Sequence, residues 1–158
     1  VTHSATPDQL LVVRGGVEHG DRRGRTLGFP TANVPIAQDE LLDGVWAGWV
    51  DCRAGRHVAA ISVGNRPTFY GRAGFRLLEA HLLDFDGDLY GEVIDVWLAH
   101  RLRSQRRFAD VGELTAQLAA DVAATRAWAA GVAAELPHLE DRLVATPLGV
   151  PVPVRLSA

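Results

Sequence analysis

The run Glu92-Val93-Ile94-Asp95-Val96-Trp97-Leu98-Ala99 reads as a strand and decides the fold class. Successive side chains of a strand point to opposite faces. Val93, Asp95 and Trp97 therefore share one face, and Ile94, Val96 and Leu98 the other. Four more runs read as strands: Leu10 to Val13, Val45 to Asp51, His57 to Val63 and Leu77 to Asp84. The second of these is rich in Val and Trp, as a buried strand can be. Turn signals separate them at Asp43-Gly44, Ala54-Gly55, Tyr70-Gly71 and Asp86-Gly87. Short strands at this spacing, with little helix between them, predict a mainly β fold, a barrel or a sandwich.

The pattern changes after Phe108. Asp110 is placed to cap a helix whose apolar positions include Leu114, Leu118, Val122, Trp128, Val132 and Leu136. Their spacing fits one helical stripe only approximately, with alanines filling the gaps. Alanine is abundant from 116 to 134, which favours helix, and Pro137 ends it. The expected architecture is a closed antiparallel barrel with one long C-terminal helix packed outside. Residues 1–136 then form one domain. Residues 137–158, with Pro147, Pro151 and Pro153, read as a stiff extended tail, disordered or draped on the surface, with a binding strand as the alternative.

Composition narrows the function classes. At 158 residues the chain can bury a real core. A formal charge of -3 argues against nucleic-acid or membrane-surface binding. Cys52 is the single cysteine, so an internal disulfide and thiolate metal clusters are excluded, and a reducing cytoplasm is expected. No apolar run approaches the roughly 20 residues that span a bilayer. No signal peptide is visible, and Val1 in place of Met points to a non-standard start codon or a missing upstream segment. All sixteen basic residues are arginines. A Walker-type nucleotide loop needs lysine and is impossible here, as is Schiff-base chemistry. Phosphate charge has to be met by arginine, backbone N–H groups or a metal ion.

Five glycines from Gly15 to Gly28 precede the turn Phe29-Pro30-Thr31-Ala32-Asn33. Such a backbone is suited to close approach. Thr31 and Asn33 put two neutral oxygen donors two residues apart. Turn statistics alone explain Pro30 and Asn33. The same pair suits Mg²⁺ if phosphates supply the missing negative charge.

This segment resembles the signature of the riboflavin kinases, ATP-dependent enzymes that make FMN. Gly64-Asn65-Arg66-Pro67-Thr68-Phe69, Glu79-Ala80-His81-Leu82-Leu83-Asp84-Phe85 and Asp88-Leu89-Tyr90-Gly91 resemble the same family in the same order. Arg101-Leu102-Arg103, Phe108 and a helix with Leu114, Leu118 and Asp121 complete the set. The resemblance covers about residues 12 to 130. It implies a six-stranded Greek-key barrel with a C-terminal helix, and transfer of the ATP γ-phosphate to riboflavin with Mg²⁺ bound alongside ATP. Riboflavin/FMN and ATP/ADP are the implied partners.

The resemblance makes Glu79 the general base, a residue that spacing alone leaves as an outward-facing strand carboxylate. It makes Thr31 and Asn33 metal ligands, and Gly20, Gly24, Arg25, Gly28 and Pro30, with those two, a nucleotide-binding flap. Arg103 and Phe108 would belong to a second loop closing over the flavin, with Asn65 and Thr68 as further contacts. His81 should share the sheet face of Glu79. Arg101, Arg106 and Arg107 read as a solvated face, and Asp84, Asp88 and Tyr90 as turn residues without chemistry. A kinase for a modified flavin, a non-catalytic flavin or nucleotide sensor on the same barrel, and a plain interaction barrel are the rival readings.

Overall fold

The computed structural model describes residues 10–36, 42–66, 75–133 and 152–154. Seven strands are formed: β1 (Leu10–Gly16), β2 (Ala32–Ile36), β3 (Gly44–Cys52), β4 (Gly55–Arg66), β5 (Phe75–Leu82), β6 (Val93–Arg103) and β7 (Val152–Val154). A one-turn helix α1 (Arg23–Thr26) lies between β1 and β2, and α2 (Val111–Val132) follows β6. All pairings are antiparallel, in the order β2-β5-β4-β3-β6-β1-β7.

The first six strands curl into a barrel. Just past β1, the Glu18 N–H donates to the Asn33 carbonyl at 2.8 Å, so the β1 side of the sheet meets the β2 edge. Strands β3, β4 and β5 are successive neighbours, and β6 returns to lie beside β3. The spatial order β6-β3-β4-β5 is a Greek key.

Alternation decides what fills the interior. Val13, Val34, Ile61, Val63, Leu78, Val96 and Leu98 are fully buried in one cluster inside the barrel. Each such side chain contributes roughly 1.5–3 kcal/mol relative to exposure. Ile94, Val96 and Leu98 face this cluster, whereas Trp97 and Ala99 face a second one outside it. There Val12, Trp49, Trp97 and Ala99 meet Val132 of α2, and the Trp128 ring lies 4.8 Å from that of Trp49. The helix therefore covers the outer face of β3 and its neighbours.

The Asp110 side chain caps α2 by accepting the Glu113 N–H at 2.8 Å. Glu113 reaches back to the Ala109 N–H, also at 2.8 Å. Two helix-start donors are thereby satisfied. The helix is described through Val132, and the expected last apolar position, Leu136, lies outside the described residues. Strands β4 and β6 run longer than their apolar runs, and β2 occupies residues read as a turn. Of the tail, only 152–154 is described, and it pairs with Leu10–Val12 of β1.

Candidate active site

One row of register partners crosses five strands. Asn33 on β2 faces Glu79 on β5, Glu79 faces Ser62 on β4, Ser62 faces Val45 on β3, and Val45 faces Arg103 on β6. Their neighbours Val34, Leu78 and Val63 point into the barrel core, so the row points outward. The segment between β1 and β2 covers one end of it, and α2 with the loop before it covers the other.

Two cavities flank this row: the first at an end of the barrel, where Val17, Ala32, Ala80, Leu82 and Leu89 of the interior cluster line it, and the second on the outer face. The first, about 420 Å³, lies between Arg25, Pro30 and Thr31 on one side and the turn residues Asp86, Asp88 and Tyr90 on the other. The second, about 280 Å³, contains Glu79, His81, Ser62, Arg103 and Phe108, with Phe29 and Thr31 at its near wall and α2 at its far wall. A narrow pocket of about 30 Å³ holds Asn33 beside Arg22, Arg25, Pro30, Thr31 and Tyr90. Thr31 lines all three.

Each side chain has a local reason for its place. His81 Nδ1 lies 2.8 Å from the Pro30 carbonyl and therefore carries the hydrogen that donates to it. The Phe29 ring meets the His81 ring edge-on at 5.6 Å. These contacts hold the Phe29-Pro30-Thr31 turn against β5. Asn33 is 5% exposed, and its Nδ2 donates over a long 3.4 Å to the Thr31 carbonyl. A Cβ on Gly20 would sit 2.4 Å from Asn33 Nδ2, so glycine lets the chain pass over that amide without displacing it. Gly24 is confined in the same way by the Phe29 carbonyl, at 2.3 Å. These two glycines serve close contacts within the protein.

The arginines at the far wall are all engaged. Arg103 is paired with Asp121 of α2, donating to both carboxylate oxygens at 2.9 and 2.7 Å. Its guanidinium carbon lies 5.9 Å from the Phe108 ring centre and that of Arg106 4.9 Å. Arg106 pairs with Glu113. The Ala109 N–H, followed by Arg106, holds the Glu113 carboxyl below the usual carboxylate range against the effect of desolvation. Gln105 Nε2 donates to Ser62 Oγ and to the Val63 carbonyl, both at 2.8 Å. The segment after β6 is thus fastened to β4 and to α2.

Glu79, Arg103 and Phe108 share the second cavity, and Arg25, Pro30 and Thr31 share the first. Gly24 lines the second cavity, with Glu79. Gly20 sits against Asn33, and Gly28 adopts φ +85 at the end of the flap. Asn65 is exposed on β4, and Thr68 lies outside the described residues. Arg106, read as part of a solvated face, is exposed and also lines the second cavity. Asp88 and Tyr90 fix their turn through an Asp88 carboxylate that accepts the Tyr90 N–H at 2.9 Å, but they also line the first cavity. Tyr90 stacks on His19 with ring centres 3.8 Å apart. Ser62, Gln105 and Gln117 carried no sequence signal; only the fold brings them to the site.

The family model for riboflavin kinase, or flavokinase, matches residues 8–129. The chain belongs to the riboflavin kinase family. That family comprises ATP-dependent kinases of FMN biosynthesis. The chain is 45% identical over 114 residues to the bifunctional riboflavin kinase/FMN adenylyltransferase of Escherichia coli strain K12, covering 70% of this chain and 36% of that protein. It thus spans little more than a third of the length of that relative. Among solved structures it is similar to riboflavin kinase from Trypanosoma brucei, with a TM-score of 0.59 at 22% identity, covering 92% of this chain and 97% of that one. This is a likeness of fold. It is also similar to a macrolide-efflux protein from Streptococcus pneumoniae, with a TM-score of 0.62 at 38% identity over 73% of this chain and 38% of that one. No helix among the described residues is long and apolar enough to cross a membrane.

Proposed function

We propose that this chain is a riboflavin kinase that transfers the γ-phosphate of ATP to the ribityl 5′-hydroxyl of riboflavin, giving FMN and ADP. The observation that carries the reading is the position of Thr31. It stands where a cavity edged by the arginine-bearing flap meets a cavity containing a carboxylate. A phosphate donor in the first and an alcohol acceptor in the second would meet beside it.

In this reading ATP occupies the cavity between Arg25 and the Asp86–Tyr90 turn, and the flavin occupies the cavity between Glu79 and Phe108. The ribityl hydroxyl oxygen bonds to the γ-phosphorus as the bond from that phosphorus to the β,γ-bridging oxygen breaks. Glu79 takes the hydroxyl proton. Phosphoryl transfer passes through a loose transition state with little bonding to the nucleophile, so the proton can leave late.

The donor set around Thr31 fits a Mg²⁺ ion that arrives with the nucleotide. Thr31 and Asn33 offer neutral, hard oxygen atoms, and the Asn33 amide points its nitrogen at the Thr31 carbonyl. No group of three or more His, Cys, Asp or Glu side chains among the described residues would hold a metal without phosphates. When bound, the ion would screen and orient phosphate oxygens. With Cys52 the single cysteine, a reducing cytoplasm suits the protein as its place of work.

The test is FMN formation from riboflavin, ATP and Mg²⁺, followed by chromatography, with modified flavins and other nucleotides in parallel. Absence of flavin phosphorylation with every donor and acceptor would refute the reading.

A further inference from the structure

We infer that Gln117 is a positioning residue of the acceptor cavity: its side-chain amide joins two ion pairs into one network that fixes two arginines against Phe108. Its Nε2 donates to Asp121 Oδ1 at 2.9 Å. Its Oε1 accepts from Arg106 Nη1 at 3.2 Å. Asp121 holds Arg103, and Glu113 holds Arg106. Glu113, Gln117 and Asp121 follow one another at four-residue steps, which places them along one line of the α2 surface. The identification of the second cavity as a flavin site rests on the reading above; the network itself does not.

The chemistry of the link is specific. Asp121 is 5% exposed, and its carboxylate can only accept. Arg106 can only donate. The group between them must donate toward one and accept from the other, which an amide does in one orientation. Glutamate would set a second negative charge against Asp121. Lysine would set a positive charge against Arg106. Leucine would do neither task and would leave Asp121 with fewer donors than it has now.

The network determines the far wall of the cavity. Arg103 and Arg106 lie near the Phe108 ring, each restrained by a carboxylate of α2. An arginine side chain is long, and its planar guanidinium serves as a flat surface only when its orientation is fixed. With both orientations set in advance and both charges locally compensated, the wall suits a planar, uncharged aromatic acceptor. An isoalloxazine ring has that chemistry.

The test compares Gln117→Leu and Gln117→Glu with the unchanged protein. Riboflavin binding is followed by flavin fluorescence, Mg-ADP binding by calorimetry, and KM and kcat by FMN formation. Both variants should bind riboflavin about tenfold more weakly, the range for losing hydrogen bonds to charged partners. Mg-ADP affinity should stay within about twofold of the unchanged value, the context-dependent scatter of such contributions. The riboflavin KM should rise while the ATP KM holds. Riboflavin affinity equal to that of the unchanged protein, or equal weakening toward both ligands, would overturn the inference. An unchanged protein that binds riboflavin but makes no FMN would sink the kinase reading alone; the binding comparison would still decide the role of Gln117. If either variant failed to fold, Arg106→Gln would replace it. This substitution loses the guanidinium beside Phe108 and should show the same selective loss of riboflavin.

Discussion

Asn33 stands directly opposite Glu79 across the β2–β5 ladder. Directly opposed residues of an antiparallel pair share a face, with Cβ atoms about 4.5–5.5 Å apart. The proposed cation ligand and the proposed general base are therefore fixed to each other by two backbones. Glu79→Gln keeps the size and hydrogen-bonding reach of the side chain and removes its basicity. Riboflavin and ATP should still bind, and turnover should fall by roughly a hundredfold or more. Steady-state FMN formation checks this, and unaltered turnover would remove Glu79 from the mechanism.

Gly20 supplies a way to disturb Asn33 without touching it chemically. A methyl group at Gly20 would overlap the Asn33 amide, whose three outer atoms lie 2.4–2.7 Å from the added carbon. Gly20→Ala should therefore move that amide. Disturbing a contact behind a metal ligand commonly lowers affinity about tenfold or more. Calorimetry should show weakened ADP binding with Mg²⁺ present and much less weakening with EDTA, and Asn33→Ala should behave alike. Equal weakening in both conditions would mean that Asn33 touches the nucleotide directly or serves the fold alone.

The barrel was legible in sequence because β3, β4, β5 and β6 each contain an apolar run bounded by turn residues. Strand β2 was not, since Ala32-Asn33-Val34-Pro35-Ile36 carries two residues typical of turns. Pro35 is tolerated because β2 has a full ladder only with β5, while its other side meets the chain at Glu18. The inner stripe of α2 is Leu114, Leu118, Asp121, Thr125, Trp128 and Val132, a regular alternation of four- and three-residue steps. Hydropathy blurred it because two of these slots are polar. Asp121 is satisfied by Arg103 and Gln117, and Thr125 donates to the Asp121 carbonyl at 2.8 Å. The residues with family precedent were legible as a set. Their arrangement in one row depends on the register of five strands, which no local pattern encodes. The Arg106–Gln117 contact depends on how the segment after β6 folds back on the helix, and sequence spacing carries no trace of that.

Acid should expose the contribution of Asp51. Partial burial raises its carboxyl, but hydrogen bonds from Arg56 and Trp97 and the charge of Arg56 outweigh that, so its pKa lies below the ordinary carboxylate value. A depressed folded-state pKa gives stability that is complete above the unfolded value of about 3.9 and declines as pH falls through the folded value. Asp51→Asn should therefore lower the thermal midpoint at pH 7, and the gap to the unchanged protein should narrow at pH 3. A gap that is the same at both pH values would show that the charge on Asp51 does not contribute.

The two sides of the site should differ in how they respond to ligand. The flap from Gly20 to Gly28 is held mainly by short-range bonds of its own, such as Phe29 N–H to the Gly24 carbonyl at 2.7 Å and Leu27 N–H to the Arg23 carbonyl at 3.2 Å. The segment 104–109 is instead fastened at both ends: Gln105 to Ser62 and the Val63 carbonyl, Arg106 and the Ala109 N–H to Glu113. The expectation from sequence was two loops that both close. The contacts favour one closing flap facing a wall already in place. Local opening is easier where few bonds reach the rest of the fold, and such segments gain most when a ligand covers them. Hydrogen exchange should therefore show fast exchange of 20–28 in the free protein and strong protection with Mg-ADP. Segment 104–109 should exchange slowly without ligand and change little with FMN. Fast exchange of both segments, with equal gains on binding, would restore the two-flap description and remove the prearranged wall.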